Sequence, residues 1–421
     1  MNFSVYIASR LQLKPADGRR SPGVTIAVTG MAVAVAVMIL TLSVVTGFKK
    51  SITEKVVGYF SQISVTALPS TDENGLTDPA STLFRCDSTI VNAVHEALGD
   101  DVTMRAAITA TTILKTDSAF VGLTLMGWLP DDDFPFIREN IVEGYLPDYS
   151  SDTTLNQAVI SQTTARELSL ELGDRVYAYF FTDGNLRARR LTVAGIYDTM
   201  FGERDRMMTV CSPALLQGIY GVDSLTVNNL MIDGIPADAI AGDAQKLQMR
   251  LIREYYAGAV PCALQVVTVE TLGAQYFSWL ELLDTNVWVI IILMTVVASF
   301  TLVSSLFILI LERVRTIGLL KSLGAANSQI QRIFLLLAMK IVLWGMGVGN
   351  ILAIALILLQ SHFHLLPLDP EAYYLDHVPM EFNILHLIAV DLGTLLIAWL
   401  VMVFPSMIIA TISPSRTIRY E

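Results

Sequence analysis

The chain has 421 residues, of which 53% are apolar and 16% are charged. Soluble domains usually carry about 25% charged residues, so this composition argues against an ordinary soluble protein and against a disordered or fibrous chain. The net charge of −11 argues against nucleic acid as a partner. Three cysteines are too few for a disulfide scaffold, and their spacing does not indicate a zinc site.

Four runs of the chain lack Asp, Glu, Lys and Arg over the roughly 20 residues that a membrane-spanning helix needs. A buried helix of a soluble protein rarely stays uncharged over this length, so each run predicts a transmembrane helix. The first run is longer than the apolar region of a signal peptide, and we interpret it as a retained anchor. The uncharged runs are 21–48, 285–311, 341–368 and 392–415, and the third and fourth helices are expected to begin before their runs. The predicted transmembrane helices are 24–47, 285–311, 333–360 and 384–411.

The distribution of Lys and Arg predicts the orientation of these helices, because cytoplasmic loops are enriched in both residues. Basic residues are concentrated in 1–23, 312–332 and the tail 412–421, whereas the loop 361–383 has four acidic residues and no Lys or Arg. We therefore expect both termini in the cytoplasm, and the loop 361–383 and the large segment 48–284 outside it.

The segment 48–284 has the pattern of a mixed α and β domain. Apolar and polar residues alternate from Ile63 to Ala67, which predicts a strand, and the runs 176–181 and 191–196 flank an Asp-Gly turn typical of a hairpin. A helix is predicted from Pro236 to about Tyr256. The expected fold class is therefore an α-helical membrane protein with four transmembrane helices and a large α+β extracytoplasmic domain inserted between helices 1 and 2.

No motif for catalysis or nucleotide binding is present in the sequence. It contains neither G-x-S-x-G nor H-E-x-x-H, and it lacks the G-x-x-x-x-G-K-[ST] loop that holds ATP phosphates. The acidic triplet 131–133 has no EF-hand pattern around it and is interpreted as a solvated turn, and His362 and His364 as residues at a membrane edge. We expect no enzyme activity, no catalytic residue, and no cofactor or metal site in this chain.

Two features of the predicted transmembrane helices stand out. Gly345 and Gly349 form a G-x-x-x-G pattern in the third helix, which permits close contact between helices. Asp391 lies within the fourth helix, where an acidic residue is a candidate for function; the alternative is that its carboxylate reaches water at the outer membrane edge.

The connection 312–332 mixes apolar and basic residues at helical spacing. This pattern predicts a short amphipathic helix beneath the membrane, and Gly324 suits the position just after its end. Ser328 and Gln331 match a capping box for the following helix. From the periodicity alone, an ordinary interfacial helix bound to lipid headgroups is the alternative.

This connection resembles the coupling helix of ABC permeases of the FtsX/MacB/LolC superfamily, whose pattern is E-R-x-x-E-I-G-x-L-[KR]-[AS]-[LM]-G-A. Thr316 stands where the superfamily often has Glu. The matching residues are Glu312, Arg313, Ile317, Gly318, Leu320, Lys321, Ser322, Leu323, Gly324 and Ala325. The resemblance implies contact with an ATPase through Arg313, Ile317, Gly318, Leu320, Lys321, Gly324 and Ala325, with Ile317 and Leu320 inserted into an ATPase cleft.

Further segments resemble the LolC/LolE branch of lipoprotein-releasing permeases, in the same order along the chain. These segments are 3–10, 24–48, 158–176, 191–197, 373–379 and 413–421. The resemblance implies a multi-pass protein of the bacterial inner membrane that extracts lipoproteins for transfer to a periplasmic carrier. It further implies a dimer with a copy of this chain or a related permease, and a separate cytoplasmic ATPase subunit that binds ATP.

Two alternatives within the superfamily stay open from the sequence. One is a mechanotransmission permease that regulates a cell-wall hydrolase, although such proteins usually have a smaller outer domain. The other is a MacB-like efflux permease, although such proteins usually carry a fused ATPase.

A lipid cargo would need an apolar shelter, because the bilayer stabilises a lipid anchor by about 0.8 kcal/mol per CH₂. The first two transmembrane helices flank the outer domain in the sequence, and apolar residues recur at helical spacing near their outer ends. We expect a lipid cleft lined by Met38, Leu42, Val45, Phe48, Val287, Ile291 and Met294. Ordinary helix packing or lipid contact is the alternative for the same residues.

Overall fold

The computed structural model describes residues 22–69, 79–129, 134–182 and 185–406. The basic N-terminal segment, the acidic triplet 131–133, the turn at 183–184 and the tail from 407 onward lie outside these residues. Two compact units are present. The helical unit contains Met1–Ser51, Trp279–Pro367 and His377–Glu421, and the sheet unit contains Ile52–Ser278 and Leu368–Asp376.

The described residues form the following elements. In chain order, the helices are α1 (Pro22–Phe60), α2 (Ser88–Leu98), α3 (Pro135–Glu139), α4 (Gln162–Leu168), α5 (Glu203–Arg206), α6 (Pro213–Tyr220), α7 (Ile240–Tyr256), α8 (Val269–Leu272), α9 (Ala274–Glu312), α10 (Val314–Ser322), α11 (Asn327–Phe363), α12 (Pro370–Tyr373) and α13 (Ile384–Ser406). The strands are β1 (Ile63–Ala67), β2 (Phe84–Arg85), β3 (Thr103–Lys115), β4 (Phe120–Trp128), β5 (Ile141–Gly144), β6 (Gln157–Ser161), β7 (Arg175–Thr182), β8 (Asn185–Tyr197), β9 (Met208–Cys211), β10 (Thr226–Val227), β11 (Asn229–Asp233) and β12 (Leu264–Thr268).

Four of the helices, α1, α9, α11 and α13, are long and apolar enough to cross a membrane. Each of them overlaps one predicted transmembrane helix, but α1 continues past residue 47 to Phe60, α9 begins at Ala274 rather than at 285, and α11 begins at Asn327 rather than at 333. The charged residues Lys49, Lys50 and Glu54 end the uncharged run without breaking the helix, because Lys and Glu are good helix formers. In the helical unit, the buried side chains of these helices form one apolar core.

The sheet unit is built around a closed ring of strand pairings. β3 pairs with β4, β4 with β9, β9 with β6, β6 with β8, β8 with β7, and β7 returns to β3. Side chains alternate between the inside and the outside of such a barrel. Leu114, Leu125, Ile160, Phe180 and Leu191 are among the buried residues that fill it.

The same sheet continues beyond the ring from β3 through β11, β1 and β12, and α2 and α7 share an apolar core with these strands. The predicted strand Ile63–Ala67 and the predicted hairpin, now β7 and β8, are confirmed. The helix predicted from Pro236 instead begins at Ile240. Pro236 belongs to the preceding turn, in which the N–H of Ala239 donates to the Pro236 carbonyl at 2.9 Å.

Candidate functional site

The short helix α10 connects α9 to α11, where the sequence predicts an amphipathic helix. It ends in a Schellman motif: the Gly324 N–H donates to the Lys321 carbonyl and the Ala325 N–H to the Leu320 carbonyl, both at 3.0 Å. Gly324 has a φ of +90°, which L side chains rarely adopt. The predicted helix and the role of Gly324 just after its end are both confirmed.

One face of α10 is packed into the helical unit. Ile317 is fully buried in the same apolar core as Ile330, Ile333 and Phe334 of α11, and Leu320 and Ala325 pack against that core. Gly318 is buried as well. The Ile317 side chain thus anchors α10 to its own chain, and its insertion into an ATPase cleft stays a prediction that this burial does not favour.

The opposite face of α10 is exposed and carries Leu319, and Leu323 follows one turn later, just after the last residue of the helix. Leu319 is 61% exposed and Leu323 is 77% exposed, with Arg315 and Ser322 on the same face. The predicted contact residues Arg313 and Lys321 are half-buried. Leu319 is not among the predicted contact residues, although its i, i+4 spacing from Arg315 and Leu323 indicates that all three share one face.

The predicted capping box of α11 is wrong. The helix begins at Asn327, its cap residue is Ala326, and the Ala326 N–H donates to Oε1 of Gln329 at 3.2 Å. Ser328 and Gln331 therefore lie inside the first turns. The Schellman motif at the end of α10 leaves Ala326 in extended backbone, which starts α11 before Ser328.

The two glycines of the G-x-x-x-G pattern lie where α11 crosses α1. A Cβ atom on Gly345 would lie 2.7 Å from Cβ of Met31, and one on Gly349 would lie 2.7 Å from the carbonyl oxygen of Ala32. Only glycine lets the two backbones approach this closely, so the predicted close helix contact is confirmed.

Four of the residues predicted to line a lipid cleft, Met38, Leu42, Ile291 and Met294, lie in or against the core of the helical unit. Met38 and Val287 are buried, Leu42, Ile291 and Met294 pack against the core, and Val45 is half-buried. The Phe48 ring contacts Trp279 edge-to-face at 6.2 Å between centroids.

A narrow crevice exists near these residues, and Met38 lines it. The crevice differs from the prediction because α13 forms its third wall. Its lining residues are Met31, Met38, Thr295, Ala298, Ser299, Leu302, Thr394, Ile397 and Ala398. The remaining predicted cleft residues are not among them.

Asp391 lies in the helix bundle and contacts α11. Its Oδ2 accepts a hydrogen bond from Nδ2 of Asn350 at 2.7 Å. The other oxygen of Asp391 and the amide oxygen of Asn350 are buried without a partner among the described residues. Of the two interpretations of Asp391, this geometry favours a role within the bundle over contact with water.

Among the described residues, no group of three or more His, Cys, Asp or Glu side chains is placed so that it could hold a metal ion. The His364 ring lies 4.0 Å from the ring of His377, and His362 contacts Phe363.

Comparison with known proteins relates both units to described families. The model of the MacB-like periplasmic core domain matches residues 24–246, and the model of the FtsX-like permease C-terminal region matches residues 288–414.

Three curated relatives match over nearly the whole chain. The lipoprotein-releasing system transmembrane protein LolC of Xylella fastidiosa is 22% identical over 414 residues, which cover 94% of this chain and 93% of the relative. The LolC protein of Neisseria meningitidis is 22% identical over 432 residues, covering 98% and 97%. The LolE protein of Haemophilus influenzae is 21% identical over 405 residues, covering 92% of each.

Proposed function

This chain belongs to the family of permeases with a MacB-like periplasmic core domain and an FtsX-like C-terminal region, and from that premise we propose that it is the permease subunit of an ABC-type complex that releases lipoproteins from the bacterial inner membrane. The observation that carries the proposal is the full-length match to lipoprotein-releasing relatives, which spans both units. The same match favours release over the cell-wall regulator and the efflux permease.

The proposed topology places the sheet unit in the periplasm and α10 with both termini in the cytoplasm. The charge distribution supports it, because α10 and its flanks carry Arg313, Arg315 and Lys321 while the loop 361–383 is acidic. The description of the matched core domain as periplasmic agrees with this orientation.

In the proposed complex, the exposed face of α10 docks on a separate cytoplasmic ATPase. The exposed Leu319 and Leu323 would suit either lipid headgroups or a protein partner, and the likeness to permeases favours the partner. Ile317 and Leu320 hold α10 against α11, so that a force applied to Leu319 and Leu323 reaches the long helices.

We further propose that the acyl chains of the cargo enter the helical unit beside the crevice between α1, α9 and α13, which would have to widen to admit them. Extraction of an anchor from the bilayer loses about 0.8 kcal/mol per CH₂, which an apolar protein surface partly restores. Met38 lines the crevice, and Leu42, Ile291 and Met294 extend the same apolar surface. A periplasmic carrier would then receive the lipoprotein.

The second permease of the complex would cover part of the exposed apolar surface of α9. Trp288, Ile292, Leu293 and Phe300 on this helix are all more than half exposed in the single chain. A second copy of this chain or a related permease could cover this surface equally well, so it does not distinguish a homodimer from a heterodimer.

Depletion of the protein in its native bacterium tests the proposed function. Lipoproteins should accumulate in the inner-membrane fraction, and expression of the wild-type chain should restore their release. Unchanged distribution of lipoproteins after complete depletion would contradict the proposal.

A further inference from the structure

Lys55, near the end of α1, joins three segments of the sheet unit. Its ammonium group donates hydrogen bonds to the carbonyl oxygens of Thr199, at 3.1 Å, and Tyr374, at 2.8 Å. Thr199 lies in the loop that follows β8, and Tyr374 lies just after α12 in the connection between α11 and α13. One side chain therefore holds together segments that are distant in the sequence.

Aromatic rings reinforce this junction. The Tyr374 ring lies 5.2 Å from that of Tyr276 and 5.8 Å from that of Phe201, and the rings of Phe201 and Tyr276 are 5.4 Å apart. Phe201 and Tyr276 are buried. The Phe201–Tyr276 and Tyr276–Tyr374 pairs are edge-to-face and the Phe201–Tyr374 pair is tilted, and this packing holds the Tyr374 ring in place.

Carboxylates and strained backbone surround Lys55. Asp376, Asp205 and Asp198 interact electrostatically with its ammonium group. Met200 and Tyr374 have φ angles of +62° and +60°, an unfavourable conformation that persists only where the surroundings impose it.

The loop around Thr199 is itself held by Asp205, whose buried carboxylate accepts the backbone N–H groups of Thr199, at 3.0 Å, and Phe201, at 3.2 Å. Burial raises the pKa of Asp205, and the hydrogen bonds from Thr199 and Phe201 oppose that shift. The carbonyl group of Thr199 is therefore presented to Lys55 from a fixed loop.

The connection that Lys55 contacts belongs to two units. Residues Leu368–Asp376 are part of the sheet unit, whereas the chain before Leu368 and after Asp376 is part of the helical unit. The short loop is thus covalently continuous with α11, which ends at Phe363, and with α13, which begins at Ile384.

We propose that Lys55 is a positioning residue that keeps the loop 368–376 attached to the sheet unit, so that movement of α11 and α13 is transmitted to that unit. This inference rests on the proposed function, because α10 leads directly into α11 and would pass the force of the ATPase to it. Without the Lys55 contacts, movement of α11 and α13 would no longer reach the sheet unit through this loop.

The test compares Lys55→Met, Lys55→Arg and Lys246→Met in the full-length chain, assembled with its ATPase in lipid nanodiscs. Lys55→Met removes the donors, Lys55→Arg retains them, and Lys246, an exposed residue that pairs with Asp243, serves as the matched control. The first readout is hydrogen exchange of the backbone amides in 368–376. The second is lipoprotein released per ATP hydrolysed.

Lys55→Met should raise exchange in 368–376 about tenfold, since two charge-assisted hydrogen bonds are lost. It should lower release per ATP severalfold while ATP hydrolysis continues. Lys55→Arg should restore both readouts towards the wild type, and Lys246→Met should change neither. If Lys55→Met does not assemble, Tyr374→Ala tests the same attachment by removing the ring from the loop side.

Unchanged exchange in 368–376 would overturn the attachment. Faster exchange with unchanged release per ATP would overturn the transmission role and leave Lys55 a purely structural residue. If the wild-type complex hydrolyses ATP without releasing lipoprotein, the proposed function fails, and the exchange measurement still decides whether Lys55 holds the loop.

Discussion

Gly345 of α11 lies directly against Met31 of α1, so that even one added methyl group would come within 2.7 Å of the Met31 Cβ atom. This contact fixes the crossing of the two helices. Gly349, one turn further along, meets Ala32 and Val35 of α1 in the same way. The helical unit therefore depends on two positions that tolerate no side chain.

Gly345→Val should destabilise the helical unit by about 1–3 kcal/mol, because the larger side chain must push α11 away from α1. Gly347→Ala is the matched control, since a Cβ atom at Gly347 has no neighbour within 4 Å. Thermal unfolding in detergent measures both variants. Equal loss of stability in the two would show that α1 and α11 do not pack at Gly345.

Substitutions on the exposed and buried sides of α10 should have different effects, one on ATPase binding and the other on stability. Leu323→Asp should change the unfolding free energy by less than about 0.5 kcal/mol, because the side chain is largely exposed, yet it should reduce copurification of the ATPase. Ile317→Ala should cost about 2–5 kcal/mol, because it leaves a cavity in the core. A Leu323→Asp chain that retains its ATPase in full would remove this face from the proposed contact.

Replacement of Gly324 should loosen the turn that ends α10. Gly324→Ala should cost about 1 kcal/mol from the positive φ alone, since no atom obstructs the added methyl group. Gly324→Asn should cost less, because Asn tolerates left-handed backbone better than Ala does. Hydrogen exchange of the Ala325 amide measures the loosening of the turn. The amide should exchange faster in Gly324→Ala than in Gly324→Asn, and equal exchange rates in the two variants would argue against the Schellman motif.

The hydrogen bond between Asn350 and Asp391 should appear as coupling in a double-mutant cycle. Asn350→Leu and Asp391→Leu should each destabilise the chain, and the double variant should lose less than the sum of the two. The coupling should be about 0.6 kcal/mol, the average for hydrogen bonds between transmembrane helices, and should not exceed about 1.7 kcal/mol. Strict additivity would mean that the two side chains do not interact in the membrane.

Labelling of single cysteines tests the proposed topology after Cys86, Cys211 and Cys262 are replaced. A membrane-impermeant reagent applied from outside should reach Ser118→Cys in the sheet unit but not Ser328→Cys at the start of α11. Labelling of Ser328→Cys in sealed cells would contradict the orientation.

The four long helices and the position of α10 could be predicted because their signals are local. Charged side chains are unfavourable in a bilayer, so a long uncharged run indicates a transmembrane helix. Glycine is favoured just after the end of a helix, so Gly324 indicates where α10 ends. The orientation of α10 could not be predicted in this way. Ile317 and Leu319 are both apolar, and only the position of Ile330, Ile333 and Phe334 decides that the former is buried.

The closed barrel and the Lys55 junction could not be predicted from the sequence, because both depend on contacts between distant segments. The parallel pairings of β4 with β9 and of β6 with β8 join strands that are not consecutive in the chain, and alternation does not identify the partner. Thr199 and Tyr374 lie 144 and 319 residues from Lys55. A lysine in a predicted helix carries no local sign of such distant contacts.

The most direct test of the proposed function is lipoprotein release from proteoliposomes. These contain this chain, the ATPase and any second permease that copurify with the chain, and a lipid-anchored lipoprotein. We expect ATP to transfer the lipoprotein from the membrane to a soluble carrier, and Leu323→Asp to reduce that transfer. Retention of all lipoprotein in the membrane while the assembled complex hydrolyses ATP would contradict the account.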